Sequence, residues 1–185
     1  MKKRLLLITG TPGTGKTTVL LNVVEALKVR GCNIGGMISR EVRTCGSRVG
    51  FEISDISNGR RGWLAHVNQK QGPQVGRYRV NLEDLNNIGA DAIIKAVENF
   101  DVIAIDEIGP MELRSEKFKD AVKKAIGSGK LVIGTVHWKV RDNLIEEVKA
   151  REDAKTYRAT YLNRENLHET IVEKAIEFLA ETAQK

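Results

Sequence analysis

The sequence has little of what secreted, fibrous or membrane-spanning chains are built from. Its 185 residues include two cysteines and three prolines, with no internal repeat or low-complexity tract. Cys32 and Cys45 lie thirteen positions apart, with no C-x-x-C pair or histidine at ligand spacing. That pattern predicts free thiols in a reducing cytoplasm, not a disulfide or a metal site. No apolar run approaches the roughly 18 residues of a membrane span, so no membrane partner is expected. The opening Met1-Lys-Lys-Arg4 followed by Leu5-Leu-Leu-Ile8 has the order of a signal peptide. The apolar run is too short for one, and Gly10 to Lys16 stands where a cleavage region would be. It reads instead as a basic cap on a first strand. Aromatic residues make up only 5% of the chain, without the stacking platforms usual for a nucleic-acid motor.

What is present fits one globular unit. Hydrophobic content of 41% and charged content of 29% are ordinary, and the length suits a single domain over 1–185. The net charge of +6 is unevenly spread. Residues 30–80 hold nine Lys/Arg, eight of them arginine, against Glu41, Glu52 and Asp55. Arginine favours bidentate phosphate contacts, so this segment implies an anionic partner: a bound triphosphate or a nucleic acid.

The most specific stretch is Gly10-Thr11-Pro12-Gly13-Thr14-Gly15-Lys16-Thr17-Thr18. It matches the P-loop pattern G-x-x-x-x-G-K-[ST] after an apolar, strand-like run. Glycines let backbone N–H groups converge on an anion, and the following helix aims its positive end at the same point. Lys16 is then placed for the β- and γ-phosphates and the Thr17 hydroxyl for Mg²⁺. The reading is a nucleoside-triphosphate site.

Along the chain, Leu5–Thr9 predicts a central parallel strand and Gly15 to about Arg30 a helix closed by Gly31. From about 35 to 80, short β-prone runs separated by Thr44-Cys-Gly46-Ser and Ser57-Asn-Gly59-Arg predict an inserted antiparallel segment. Asn81 can cap a short helix, with another through Ala90–Val97. Asp101–Glu107 is a strand, Lys117–Ile126 a helix capped by Ser115, and Leu131–Val136 a strand. A helix over Val140–Ala150, a strand over Thr156–Leu162 and a final helix to about Ala183 complete the pattern. This alternation predicts an α/β fold with a mostly parallel sheet covered by helices.

Val102-Ile-Ala-Ile105-Asp106-Glu107 is the expected companion of the P-loop. A strand adjacent to the first is expected to bring Asp106 to the Mg²⁺ held by Thr17, with Glu107 as general base toward water. Asp106-Glu107-Ile108-Gly109 also fits the D-x-x-G γ-phosphate sensor, but the base-reading [NT]-K-x-D motif is missing, so guanine specificity is unsupported. Asn163 and Arg164, after the last strand, are candidates for base contact or for helix capping. Arg60 and Arg61 are the arginines best placed by sequence for a cis contact to the γ-phosphate. His137 reads as an ordinary hydrogen-bonded histidine, the alternative being a γ-phosphate sensor or water-positioning group; His66 and His168 read as structural or exposed, and Trp63 and Trp138 as packing residues.

With these residues located, the chain resembles the thermophile-type nucleoside-triphosphatase family, which includes the animal cancer-related enzyme. The likeness rests on the P-loop, on Glu41-Val-Arg43 with Gly46-Ser-Arg48-Val-Gly-Phe51, and on Arg61-Gly62-x-Leu64-Ala65. It continues through Val75–Val80, Asp106–Leu113 and Asn163-Arg164. Met37 and Trp63 depart from the family's Phe and Pro. The resemblance implies a P-loop fold of RecA-like, additional-glutamate type and Mg²⁺-dependent hydrolysis of ATP, GTP and other NTPs to NDP and phosphate. It also implies Glu112 as a second acidic residue at the site. Two alternatives stay open on the residues alone: a kinase acting on a nucleoside, nucleotide or polynucleotide end, and an NTP-switched nucleic-acid-binding module. The expected location is cytoplasmic and the expected state a monomer.

Overall fold

A computed structural model describes residues 2–182. Nine strands form one sheet: β1 (Leu5–Thr9), β2 (Ile34–Thr44), β3 (Ser47–Asp55), β4 (Arg61–His66), β5 (Gln74–Val75), β6 (Tyr78–Val80), β7 (Val102–Ile108), β8 (Leu131–Val136) and β9 (Ala154–Arg158). Their order is β5-β6-β4-β3-β2-β7-β8-β1-β9. The half from β2 to β9 is parallel, and the half from β5 to β2 is antiparallel. β2 belongs to both: Ile34–Met37 pair with β7, while Met37–Thr44 pair with β3. The 35–80 segment therefore extends the same sheet sideways, with register shifts at Val42/Arg43 and Phe51/Glu52.

Among the described residues, six α-helices accompany it: α1 (Lys16–Val29), α2 (Leu82–Asp84), α3 (Asp91–Asn99), α4 (Glu116–Gly127), α5 (Asn143–Ala150) and α6 (Leu167–Thr182). A π-helical stretch, Leu85–Ala90, joins α2 to α3. Side chains cap the starts of α2 and α4, since the Asn81 side chain accepts from the Asp84 N–H and Ser115 Oγ accepts from the Phe118 N–H.

The apolar run of β1 is buried on both faces because side chains alternate along a strand. Leu6 and Ile8 join Val19, Leu20, Val23 and Leu27 of α1 and Ile171 of α6 in one core layer. Leu5 and Leu7 face the opposite layer, built from α3, α4 and α5 through residues such as Ile93, Phe118 and Ile145. Helices on both faces leave the carboxyl ends of β1, β7 and β8 at one edge of the sheet. Ligands bind at that edge in open α/β sheets.

Two expectations need correction. The acidic strand is not the neighbour of β1: β8 lies between β1 and β7. The last strand is β9 over Ala154–Arg158, starting two residues and ending four residues earlier than expected, and the chain turns away at Thr160. The side chain of Asn163 takes the Thr160 N–H at 2.8 Å and donates to the Arg158 carbonyl at 2.9 Å, which closes a turn where further strand was expected. The Ala183 boundary of the final helix lies outside the described residues.

Candidate active site

β1 ends at Thr9 and the chain turns into α1 through the P-loop. Gly13 and Gly15 hold φ of 82° and 90°, a left-handed conformation that side chains disfavour. Thr14 closes the loop from inside, its hydroxyl donating to the Thr11 carbonyl at 2.8 Å. No side chain caps α1 at Gly15 and its first turn has no acidic residue. The free amides and positive dipole end there are left for an external anion. Gly10 follows the strand, Pro12 is exposed on the loop, and Thr18 is exposed in the first turn of α1.

Lys16 and Thr17 both reach the end of β7. Lys16 is 9% exposed and its Nζ stands 3.6 Å from Glu107 Oε2. The Thr17 hydroxyl donates to Asp106 Oδ2 at 2.8 Å. Asp106 is fully buried, and its hydrogen-bond partners are all neutral hydroxyls: Thr17, Thr135 from β8 and Ser39 from β2 at 3.4 Å. Burial pushes its carboxyl up to about 6, against the pull of the Thr135 and Thr17 hydroxyls. A buried carboxylate with neutral partners is stabilised as an anion by a cation beside it. The strand β8 that separates β7 from β1 thus contributes directly, by carrying Thr135.

The Asp106–Glu107 peptide is cis, and the β7–β8 register shifts between Ile105 and Ile108. Glu107 is partly buried; burial raises its carboxyl above the ordinary range, and the Lys16 ammonium opposes the rise. Glu112, on a 3-10 turn over Glu112–Arg114, is 4% exposed. Burial, then the neighbouring Glu107 charge, drives its carboxyl well above the usual range, while N–H groups of its own residue and of Gly109 face it. Gly109 packs closely on this carboxylate, since a Cβ on it would lie 3.1 Å from Glu112 Oε2. The Ile108 side chain is buried in the core and its carbonyl accepts from the His137 N–H at 3.1 Å. His137 Nδ1 accepts from the Lys139 and Val140 amides, so its neutral form carries the proton on Nε2. Burial, together with the Lys16 and Lys149 charges, lowers its affinity for a second proton.

These groups border a cleft of about 550 Å³. Lys16, Thr17, Glu107, Glu112 and His137 line it with Arg40 and Arg48 of the β2–β3 hairpin, and Phe51, Leu64 and Met111 supply apolar wall. Arg60 and Arg61, favoured by sequence for the γ-phosphate, are not on it. Arg60 donates to the Asn87 carbonyl at 3.3 Å and Arg61 stands 3.5 Å from Glu52. Much of the hairpin's charge is balanced locally, since Glu41 pairs with both Arg43 and Arg48. Asn163 uses its amide within its own turn, whereas Arg164 is exposed beside the P-loop. Trp63 and Trp138 are 37% and 44% exposed, and Trp63 packs edge-on against His66 with ring centroids 4.5 Å apart.

Sequence reading missed Ser39 and Thr135. Thr135 had a signal, as the polar residue within the apolar strand Leu131–Val136, whereas Ser39 had none.

The model of a family described as NTPase matches residues 5–172 of this chain. The nucleoside-triphosphatase THEP1 of Thermofilum pendens is 45% identical over 168 residues, spanning 90% of this chain and 92% of its own. That of Methanothermobacter thermautotrophicus is 40% identical over 168 residues, spanning 91% and 94%. The crystal structure of THEP1 from the hyperthermophile Aquifex aeolicus superposes with a TM-score of 0.82 at 30% identity, covering 91% of this chain and 97% of that one. The solution structure of a human cancer-related nucleoside triphosphatase gives 0.77 at 33% identity, covering 92% and 96%. With its P-loop, its buried Asp106 and a likeness that runs nearly end to end, this chain belongs to the NTPase family.

Proposed function

We propose that the chain hydrolyses nucleoside triphosphates to the diphosphate and phosphate, with Mg²⁺ and without strong preference among bases. The observation that carries this is the convergence of Lys16, Thr17 and Glu107 on the cleft, with Asp106 hydrogen-bonded to Thr17. The P-loop amides and Lys16 bind the phosphates. Glu107 accepts the proton of a water that attacks the γ-phosphorus as the bond to the β-phosphate oxygen breaks. Lys16 favours the ionised, proton-accepting form of Glu107. Thr17 and Asp106 fit Mg²⁺ because both present oxygen to one point and Asp106 lacks a cationic partner among its hydrogen bonds. The ion would offset phosphate charge there. Asn163 engages its own turn and the chain has no [NT]-K-x-D, both of which favour tolerance of different bases.

A second reading, transfer to a hydroxyl acceptor, rests on the size of the cleft. About 550 Å³ with an apolar wall is far more than a water needs, which is about 30 Å³. The test is phosphate release from ATP, GTP, CTP and UTP in Mg²⁺, with and without a nucleoside or a 5′-hydroxyl oligonucleotide. Release without acceptor, abolished by Lys16→Ala, is the expected result. Negligible release that becomes acceptor phosphorylation would overturn hydrolysis in favour of transfer.

A further inference from the structure

The geometry points to Tyr161, backed by Arg164, as the face against which the nucleotide base packs, an inference that rests on the nucleoside-triphosphate reading of the P-loop. Tyr161 is 66% exposed, which is unusual for a ring so close to the centre of a site. A Cβ placed on Gly13 would lie 3.8 Å from its phenolic oxygen, and one on Gly15 would lie 3.5 Å from Arg164 Cδ. Both residues thus stand directly over the phosphate loop. The Arg164 guanidinium lies 5.3 Å from the centre of the Tyr161 ring, within cation–π range.

Direction along the loop comes from the carboxylates. Lys16 and Glu107 mark the γ-phosphate end, and the cleft opens on that side. Tyr161 and Arg164 do not line the cleft. A triphosphate with its γ end at Glu107 sends its ribose and base away from the cleft, past Gly13 and Gly15 and toward this pair. The turn that presents the ring is held by Asn163, through the Thr160 amide and the Arg158 carbonyl. The backbone that carries the ring is therefore fixed before any ligand arrives.

Contact through a π-face suits all bases, because each has one and no donor or acceptor is read. Tyr161 and Arg164 accordingly set affinity for the nucleoside part without choosing among bases.

The test is direct binding to the intact chain of ADP, GDP and CDP, and of inorganic tripolyphosphate as a ligand with no base. Tyr161→Ala is expected to weaken all three nucleotides by roughly ten-fold or more, the usual scale for losing one stacked base. Tripolyphosphate affinity should stay within two-fold, which also reports that the P-loop is intact. Tyr161→Phe should keep wild-type affinity. Unchanged nucleotide affinity in Tyr161→Ala would overturn the proposal. So would an equal loss for tripolyphosphate, or a loss produced by Trp138→Ala in its place. Wild-type chain that binds tripolyphosphate no more weakly than nucleotides also sinks the base platform, with the phosphate site still standing. If it binds neither, the triphosphate reading itself fails.

Discussion

Gly109→Ala tests whether Glu107 must sit where it does, because it moves that carboxylate without removing it. Gly109 is not in the left-handed region, so alanine can adopt its backbone. The added Cβ would stand 2.9 Å from Glu107 Oε1, 3.2 Å from Glu107 Cγ and 3.1 Å from Glu112 Oε2. Ordinary contact begins at 3.4 Å, so the Glu107 carboxylate must retreat by about half an ångström. Misplacing a reacting group by about 1 Å can cost a factor of 100, so a loss of roughly 10- to 100-fold in kcat is expected. That equals about 1.4 to 2.7 kcal/mol in the barrier. The P-loop and Lys16 are untouched, so KM should hold within about three-fold, the pattern of an interaction made in the transition state. The assay is steady-state phosphate release from ATP, with thermal unfolding run beside it to confirm a native fold. Wild-type kcat in a folded Gly109→Ala chain would refute the claim that Glu107 needs this position. A rise in KM alone would also refute it, by placing Gly109 in substrate binding.

Asp153 anchors the start of β1 from the other end of the sheet: it bonds Arg151 through two 2.8 to 3.0 Å contacts and Arg4 at 2.8 Å. Those partners, Arg151 first, hold its carboxyl below the ordinary range. The stability it contributes is complete above the ordinary carboxylate value and is lost as pH falls through the lower, folded one. Asp153→Asn should cost roughly 2 to 3 kcal/mol in urea unfolding at neutral pH, with the gap from wild type shrinking in acid; a gap constant with pH would contradict the assignment. Leu20 is fully buried between α1 and the sheet, so Leu20→Ala should lower unfolding free energy by about 3 kcal/mol. A loss under 1 kcal/mol would mean that this layer is not packed as described.

The parts of the fold that were legible in the sequence are those fixed by local pattern. β1 and β8 occupy the residues expected of them, since each is a short apolar run between breakers. Ser115 caps α4 as its position before an amphipathic run implied. The interposition of β8 was not legible, because strand order is decided by crossovers between distant segments. β2 and β3 run longer than the apolar signal, as their outer ends, Arg40 to Thr44 and Ser47 to Val49, are mostly polar and pair beyond the core. In the site, the residues of the P-loop and the Asp106-Glu107 pair were legible because their spacing reflects backbone geometry. The hydroxyls of Ser39 and Thr135 were not, since what matters is the carboxylate they meet across the sheet. Among the arginines, sequence pointed to the Ser57-Asn-Gly59 turn, but the cleft is lined by Arg40 and Arg48, which the hairpin register turns toward the P-loop.

Glu107 as the group that activates water is the centre of the proposed mechanism. The measurement is paired: nucleotide affinity and phosphate release from ATP in Mg²⁺, for wild type and Glu107→Gln. Glutamine keeps the shape and loses the proton-accepting oxygen. Binding is expected to hold within a few-fold and release to fall by about 100-fold or more. Release at the wild-type rate in a Glu107→Gln chain that still binds ATP would contradict that mechanism.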